Sequence, residues 1–343
     1  MSKTSKMTMK QLLDAMLNEE KPLHPSYIYR LSDLSEDDLA ALQTTWSKVP
    51  AWRRKAIMED VEEIGQNDYV LSFEEFARHG IQDSEPGVRE LAVRSLWEYE
   101  SRDLIPIYLQ LLESDDDYNV RAAAATALGK YIFLGEIEEL PTHTQRRIED
   151  RLLDVVNGDE NVLVRRRALE SLGFSGREEI PALIETAYNS GSVDWLVSAL
   201  FAMGQSANKD WIPWVTSKLD SDNPEVLLEA ARAAGELEIR ESVPKLMELV
   251  DLDDYDLRTT AIWSLSQIGG EGVRARLEEL YEDADDDDEA DFIDSALDNL
   301  DFTEDIALFD LLELSEDGKP DEALDLLDLD EGKEEEADED AER

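Results

Sequence analysis

One helical pattern recurs seven times along this chain, and it constrains the fold more than anything else in the sequence. An apolar residue is followed eight positions later by another, starting at Val88, Val120, Val164, Trp195, Val226, Leu257 and Phe292. Successive starts lie 32, 44, 31, 31, 31 and 35 residues apart. The position four residues on is alanine every time: Ala92, Ala124, Ala168, Ala199, Ala230, Ala261 and Ala296. The eighth is Leu96, Leu128, Leu172, Met203, Ala234, Leu265 or Leu300. Offsets of 0, 4 and 8 share one face of an α-helix, so each segment predicts an amphipathic helix with a buried seam. A small residue at its centre lets neighbouring helices approach closely. A period in this range marks an array of repeats.

Between these helices lie others that begin with a branched residue and proline: Ile105-Pro106, Ile180-Pro181, Ile212-Pro213 and Val243-Pro244. Proline is tolerated in the first turn, where its missing N–H has no partner to lose. The turn into the following helix is acidic, as at 115–117, 159–160, 220–222, 251–254 and 283–288. Aspartate there caps free N–H groups and complements the helix dipole. Gly129, Gly173, Gly204 and Gly235 are expected to stop the helices in a left-handed conformation. Each unit then reads helix, acidic turn, helix, glycine turn. One unit cannot bury its apolar face alone, and stacking supplies a continuous core.

The segments VRAAAATALG (120–129) and VRRRALESLG (164–173), with the Ile-Pro-x-Leu starts, resemble HEAT repeats, of the short kind also found in phycobilisome lyases. The resemblance covers residues 69–301. It implies an all-α fold, a right-handed α-α superhelix of about seven repeats. It also implies a ladder of Asp and Arg between repeats. The Arg position is matched at Arg89, Arg121, Arg165 and Arg258, and is Leu196, Leu227 and Ile293 in the other three units. The 44-residue interval holds about 13 extra residues near 133–145, expected to form a longer loop at one edge.

Residues 1–68 do not follow the period. They predict a short helix near 9–17 and two more broken at Pro50, an N-terminal helical cap whose Trp46, Trp52 and Ile57 pack onto the first repeat. Trp195, Trp211 and Trp214 are expected in the core. After residue 301 the chain becomes an acidic tail, 302–343: apolar-acidic segments that form marginal helices, then EGKEEEADEDAER, expected to be solvated and disordered.

Charge narrows the partners. The 343 residues carry 83 acidic and 33 basic side chains, a formal net charge of −50. Such a surface repels nucleic-acid phosphates and anionic membranes and attracts basic proteins. No run approaches the roughly 20 apolar residues of a membrane span. The basic residues 1–10 precede no apolar signal core, so a cytoplasmic location is expected. There is no cysteine, which removes disulfides and thiolate chemistry.

Motifs for catalysis are missing. The three histidines, His24, His79 and His143, are far apart in sequence, and none stands beside a glutamate as in the His-Glu pairs of iron-binding HEAT enzymes. No phosphate-binding loop or nucleophile elbow is present. Asp283, Asp285 and Asp287 imitate part of a calcium loop, but Asp288 occupies the position that needs glycine. No cofactor or metal is expected, and the chain does not read as an enzyme.

The expected role is a scaffold or adaptor that holds a protein partner on the concave face, a basic partner being favoured by the charge. Offsets 2 and 6 of the repeat helix point away from the seam, which nominates Arg94, Arg166, Phe201, Arg232 and Trp263 as the partner-binding surface. Trp and Arg are over-represented among interface anchors. Two other readings stand beside it: an acidic chaperone or nucleic-acid mimic that shields a basic protein, and a bilin-lyase-like enzyme. No oligomeric state is marked in the sequence.

Overall fold

The computed structural model describes residues 7–314 except 69 and 285, with side chains described up to residue 305. The described residues contain α-helices and short 3-10 turns and no strand. In order these are α1 (Met9–Leu17), α2 (Glu36–Trp46), α3 (Ala51–Asn67), α4 (Glu74–Gly80), α5 (Pro86–Ser95), α6 (Leu104–Ser114), α7 (Tyr118–Glu136), α8 (Thr142–Asn157), α9 (Val162–Leu172), α10 (Ile180–Tyr188) and α11 (Val193–Gln205). They continue with α12 (Ile212–Thr216), α13 (Pro224–Glu236), α14 (Val243–Leu249), α15 (Tyr255–Ile268), α16 (Val273–Glu282) and α17 (Asp287–Leu314). The chain divides into two compact units, Met1–Ala207 and Asn208–Arg343.

From α4 onward the helices pair as first and second members of a repeat, and the seven predicted segments are the second helices α5, α7, α9, α11, α13, α15 and α17. Within the first unit α3, α5, α7, α9 and α11 pack one on the next; within the second, α13, α15 and α17 do the same. The alanines at offset 4 are all buried. Most offset-0 residues are buried too, Val88, Val120 and Val164 completely. Two positions depart from the expected register. Trp195 is half-buried beneath the Arg165 guanidinium, 5.6 Å from its ring centre. Phe292 is half-buried while Ile293 fills the seam, because in α17 the buried set is Ile293, Ala296 and Leu300.

Caps set the helix starts. Asp117 accepts from the backbone N–H of Asn119 at 2.8 Å, and Asp254 from that of Leu257 at 3.1 Å. Asn161 and Asn223 do this work for α9 and α13 in place of the neighbouring aspartates. The expected left-handed glycine stops do not form. Gly129, Gly204 and Gly235 lie inside right-handed helix, Gly173 follows α9 at φ −54°, and the left-handed turn residues are Glu138, Ala207 and Glu238. The glycines are there for clearance. A Cβ on Gly173 would stand 2.7 Å from the Ala202 Cα, one on Gly129 2.8 Å from the Ser171 Oγ, and one on Gly235 2.8 Å from the Ser264 Cα. Ser171, Ala202 and Ser264 all occupy offset 7 of the next second helix. The Ser171 and Ser264 hydroxyls also donate across the gap to the Ala125 and Ala231 carbonyls, at 2.9 and 3.0 Å.

This sets up a contrast between two glycine substitutions. Gly173→Ala is expected to destabilise the first unit by about 1–3 kcal/mol, because backbone must move to admit the methyl group. Gly65→Ala, inside α3 with its nearest neighbour at 3.7 Å, is expected to stabilise it by about 0.5–1 kcal/mol. Urea unfolding of the two variants checks this; equal effects would remove the clearance argument.

The predicted ladder forms, with one rung altered and one added. Arg89 Nη2 lies 2.7 Å from Asp115 and Arg121 Nη2 2.9 Å from Glu160. Each also donates to a carbonyl in its own turn, Asp83 O at 2.9 Å and Asp115 O at 2.8 Å. Arg258 pairs with Glu289 at 2.8 Å. Arg165 keeps only the carbonyl half, donating to Val156 O at 2.9 Å, since the next turn, Ser190-Gly191-Ser192, has no acid. The added rung is Arg54 with Asp83, before the first repeat. Arg53, beside it, ties the end of α1 by donating to carbonyls of Ala15 and Lys21.

Further expectations need correction. The extra residues at 133–145 are mostly helix: α7 runs on to Glu136, α8 begins at Thr142, and only 137–141 form the link. Trp46 and Ile57 are buried as expected, but Trp52 is exposed, with Arg53 stacked 4.9 Å from its ring. Trp211 is buried and Trp214 half-buried. Helix α17 continues past residue 301 to Leu314, with Thr303 donating to Ser266 O at 3.1 Å. The acidic segments expected beyond Leu314 lie outside the described residues, as does Asp285 of the calcium-like stretch.

Candidate partner-binding site

The second helices of the first unit bring their offset-2 and offset-6 residues to one face, and a cavity of about 470 Å³ opens there. Its size falls within the roughly 300–1,000 Å³ of ligand-binding sites. Five stacked helices contribute: Val61 and Glu62 from α3, Glu90 and Arg94 from α5, Ala122 and Thr126 from α7, Leu163 and Arg167 from α9, and Phe201 from α11. The floor is made of small side chains because Ala122, Ala123 and Ala127 fall on this side of α7. Trp97 and Tyr99, from the link between α5 and α6, form one rim.

That rim is held in place. Lys130 of α7 donates to the carbonyls of Trp97 and Glu98, at 3.0 and 3.1 Å, and its ammonium sits 6.0 Å from the Trp97 ring centre. The Tyr99 hydroxyl accepts from the Phe73 N–H at 3.0 Å. Trp97 nevertheless stays 45% exposed, a large apolar surface left in water at the rim of the cavity. The two arginines in the lining are spoken for. Arg94 Nε is 2.7 Å from Glu62, and Arg167 Nη1 is 2.5 Å from Glu170. A hydroxyl from the next helix, Ser198 Oγ, fixes the other oxygen of Glu170 at 2.6 Å.

Of the residues nominated from sequence, the structure brings Arg94 and Phe201 into this one cavity. Arg166 is not part of its lining. It lies largely buried between α9 and α11, donating to Ser198 Oγ at 2.9 Å and paired with Asp194 at 3.1 Å, so it acts as a brace between repeats. Arg232 and Trp263 belong to the second unit. Arg232 is ion-paired within its own helix to Glu229 and Glu236, and Trp263 is 38% exposed with its ring centre 6.5 Å from Phe292. Sequence reasoning missed Trp97. Its signal was its place: offset 9 of the first repeat, where the next four repeats carry glycine. Helix α5 ends at Ser95, so this side chain reaches the rim instead of a helix-helix gap.

The described residues include no group of three or more His, Asp or Glu side chains placed to hold a metal ion. No helix among them is long and apolar enough to cross a membrane.

Comparison with known families agrees with this architecture. The model of HEAT repeats matches residues 75–142, 180–257 and 212–295, more than half of the 343 residues. The chain belongs to the HEAT-repeat family. Solved structures similar to this HEAT protein include the CpcE–CpcF complex of phycocyanin lyase from Nostoc sp. PCC7120, at 23% identity over 66% of this chain and 94% of that one, with a TM-score of 0.44. Escherichia coli YibA is similar at 17% identity over 83% and 99%, with a TM-score of 0.40. Human deoxyhypusine hydroxylase is similar at 18% over 76% and 95%, with a TM-score of 0.33. These are likenesses of fold. No curated protein was found to match the sequence.

Proposed function

We propose that this HEAT protein is a non-catalytic scaffold that holds a protein partner on the concave face of its first unit. The observation that carries the proposal is the cavity beside Trp97: preformed, floored by alanines, and rimmed by an aromatic side chain that the fold leaves exposed. A cavity floored by alanines with an exposed tryptophan at its rim has the anatomy of an interface hot spot. The net charge of −50 favours a basic protein over nucleic acid.

The test is capture from lysate by the immobilised full chain, with bound proteins identified by mass spectrometry. A double variant, Trp97→Ala with Phe201→Ala, is expected to retain its helical circular dichroism and lose the specific partner by at least about tenfold, since hot-spot truncations cost about 2 kcal/mol or more. Undiminished capture of the same partner by the folded double variant would reject the site.

A further inference from the structure

Charge inside the cavity says more about the partner than the net charge of the chain does. Both arginines of the lining are neutralised by glutamates, Arg94 by Glu62 and Arg167 by Glu170. Two other carboxylates of the lining, Glu90 and Glu98, have no cation within 4.0 Å among the described residues. The site therefore offers two unpaired anions and no unpaired cation around an apolar floor. An acidic segment entering it would meet like charge and find no cation to receive it.

We propose that the cavity takes a short polypeptide segment bearing one bulky aromatic or aliphatic anchor, with lysine or arginine within a few residues of it. This rests on the reading of the cavity as the partner site. The anchor would lie on Ala122, Ala123 and Ala127, which present nothing beyond a Cβ, and pack against Trp97 and Phe201. The flanking cations would meet Glu90 on α5 and Glu98 on the rim. Because Lys130 and Tyr99 already hold the rim, little ordering is left for binding to impose. The lining crosses five stacked helices, a breadth that matches a run of side chains better than a single one.

The probe is a random twelve-residue peptide library displayed on phage and selected against the full chain at low salt. Enriched peptides are expected to combine an aromatic or long aliphatic residue with two or more lysines or arginines. Their affinity should fall at least about tenfold in Trp97→Ala/Phe201→Ala. It should fall about three- to tenfold in Glu90→Gln/Glu98→Gln, which alters charge at the cavity without touching the core, and by a similar factor on raising salt to 0.5 M. Peptides that depend on Trp97 and Phe201 but carry no cations, or ignore the glutamine pair, overturn this inference and leave the partner site standing. Peptides indifferent to both variants overturn the inference and the site together. Absence of enrichment overturns the inference, while the lysate capture still decides the site.

Discussion

Replacing Asp83 with alanine is expected to destabilise the first unit by about 3–5 kcal/mol. The reason is a buried charge with several dependants. Asp83 and Arg54 lie 2.8 Å apart, their side chains 2% and 8% exposed. Asp83 also accepts from the Trp46 indole N–H at 2.5 Å and from the Glu85 backbone N–H at 2.8 Å. Deleting the carboxylate strands the Arg54 guanidinium in the interior with only the Val49 carbonyl and the Ser84 hydroxyl to receive it. Asp116 is the natural control. It also pairs with a ladder arginine, Arg89, at 2.8 Å, but its side chain is 91% exposed, and Asp116→Ala should cost less than about 1 kcal/mol. Urea unfolding followed by tryptophan fluorescence reads both, Trp46 reporting directly on the rung. A loss below about 1 kcal/mol in Asp83→Ala would show that the rung is dispensable. The double variant Asp83→Leu with Arg54→Met should recover much of the loss, since removing both charges leaves none stranded.

The same rung shows what was legible in the sequence. A periodic signal survives translation into structure because it is repeated. The alanine at offset 4 is buried in all seven second helices, and no single irregularity could hide it. The ladder was readable at Arg89, Arg121 and Arg258, where an arginine follows the seam residue, but the same sign at Arg165 meets no acid in the next turn. It was not readable at Arg54, which sits outside the period in AWRRKAIM and reads as a local basic patch. The repeat glycines gave the right residue and the wrong reason. Glycine serves both positive φ and close approach, and only the position of the neighbouring helix separates the two. The lining of the cavity was half legible for a similar cause. Offsets 2 and 6 select a helix face, which placed Arg94 and Phe201, but they carry no knowledge of what the adjacent helix offers. Asp194 and Ser198 claim Arg166, and the early end of α5 frees Trp97.

Stability against pH is expected to pass through a maximum near about pH 5, on the acid side of most proteins. Two opposed sets of groups produce it. Above the maximum, 83 acidic side chains against 33 basic ones repel one another, and protonation relieves the repulsion. Asp60 shows the sign. Burial, then the neighbouring Glu63 and Glu59, raises its carboxyl above the usual range, so the folded state takes up a proton before the unfolded chain does and gains stability as pH falls. His79 opposes this. Burial lowers its imidazole despite nearby Asp83, so below about pH 6.5 the unfolded chain takes a proton that the folded state resists. One imidazole is set against a whole acidic surface, so the rise should prevail.

Below the maximum the ladder reverses the trend. Burial works to raise Asp83 and Asp115, but Arg54 and Arg89 with backbone N–H donors outweigh it, and both carboxyls end below the ordinary value. Arg121 chiefly lowers Glu160, Arg30 Asp38 and Arg78 Asp103. A depressed carboxyl contributes fully above its unfolded value near 4, and that contribution is lost as pH falls through the lower folded value. These five groups all belong to the first unit, so its acid limb should be steep below about pH 4. Salt separates the two limbs. At 0.5 M NaCl the rise from pH 7 to 5 should flatten, because exposed repulsion is screened, while the fall below pH 4 should persist, because the ladder pairs are partly buried. Thermal melts across pH 3–8 at both salt concentrations decide it. A curve that falls continuously from pH 7 at low salt would mean that surface repulsion does not govern this fold, and an acid limb erased by salt would mean that the ladder does not hold it.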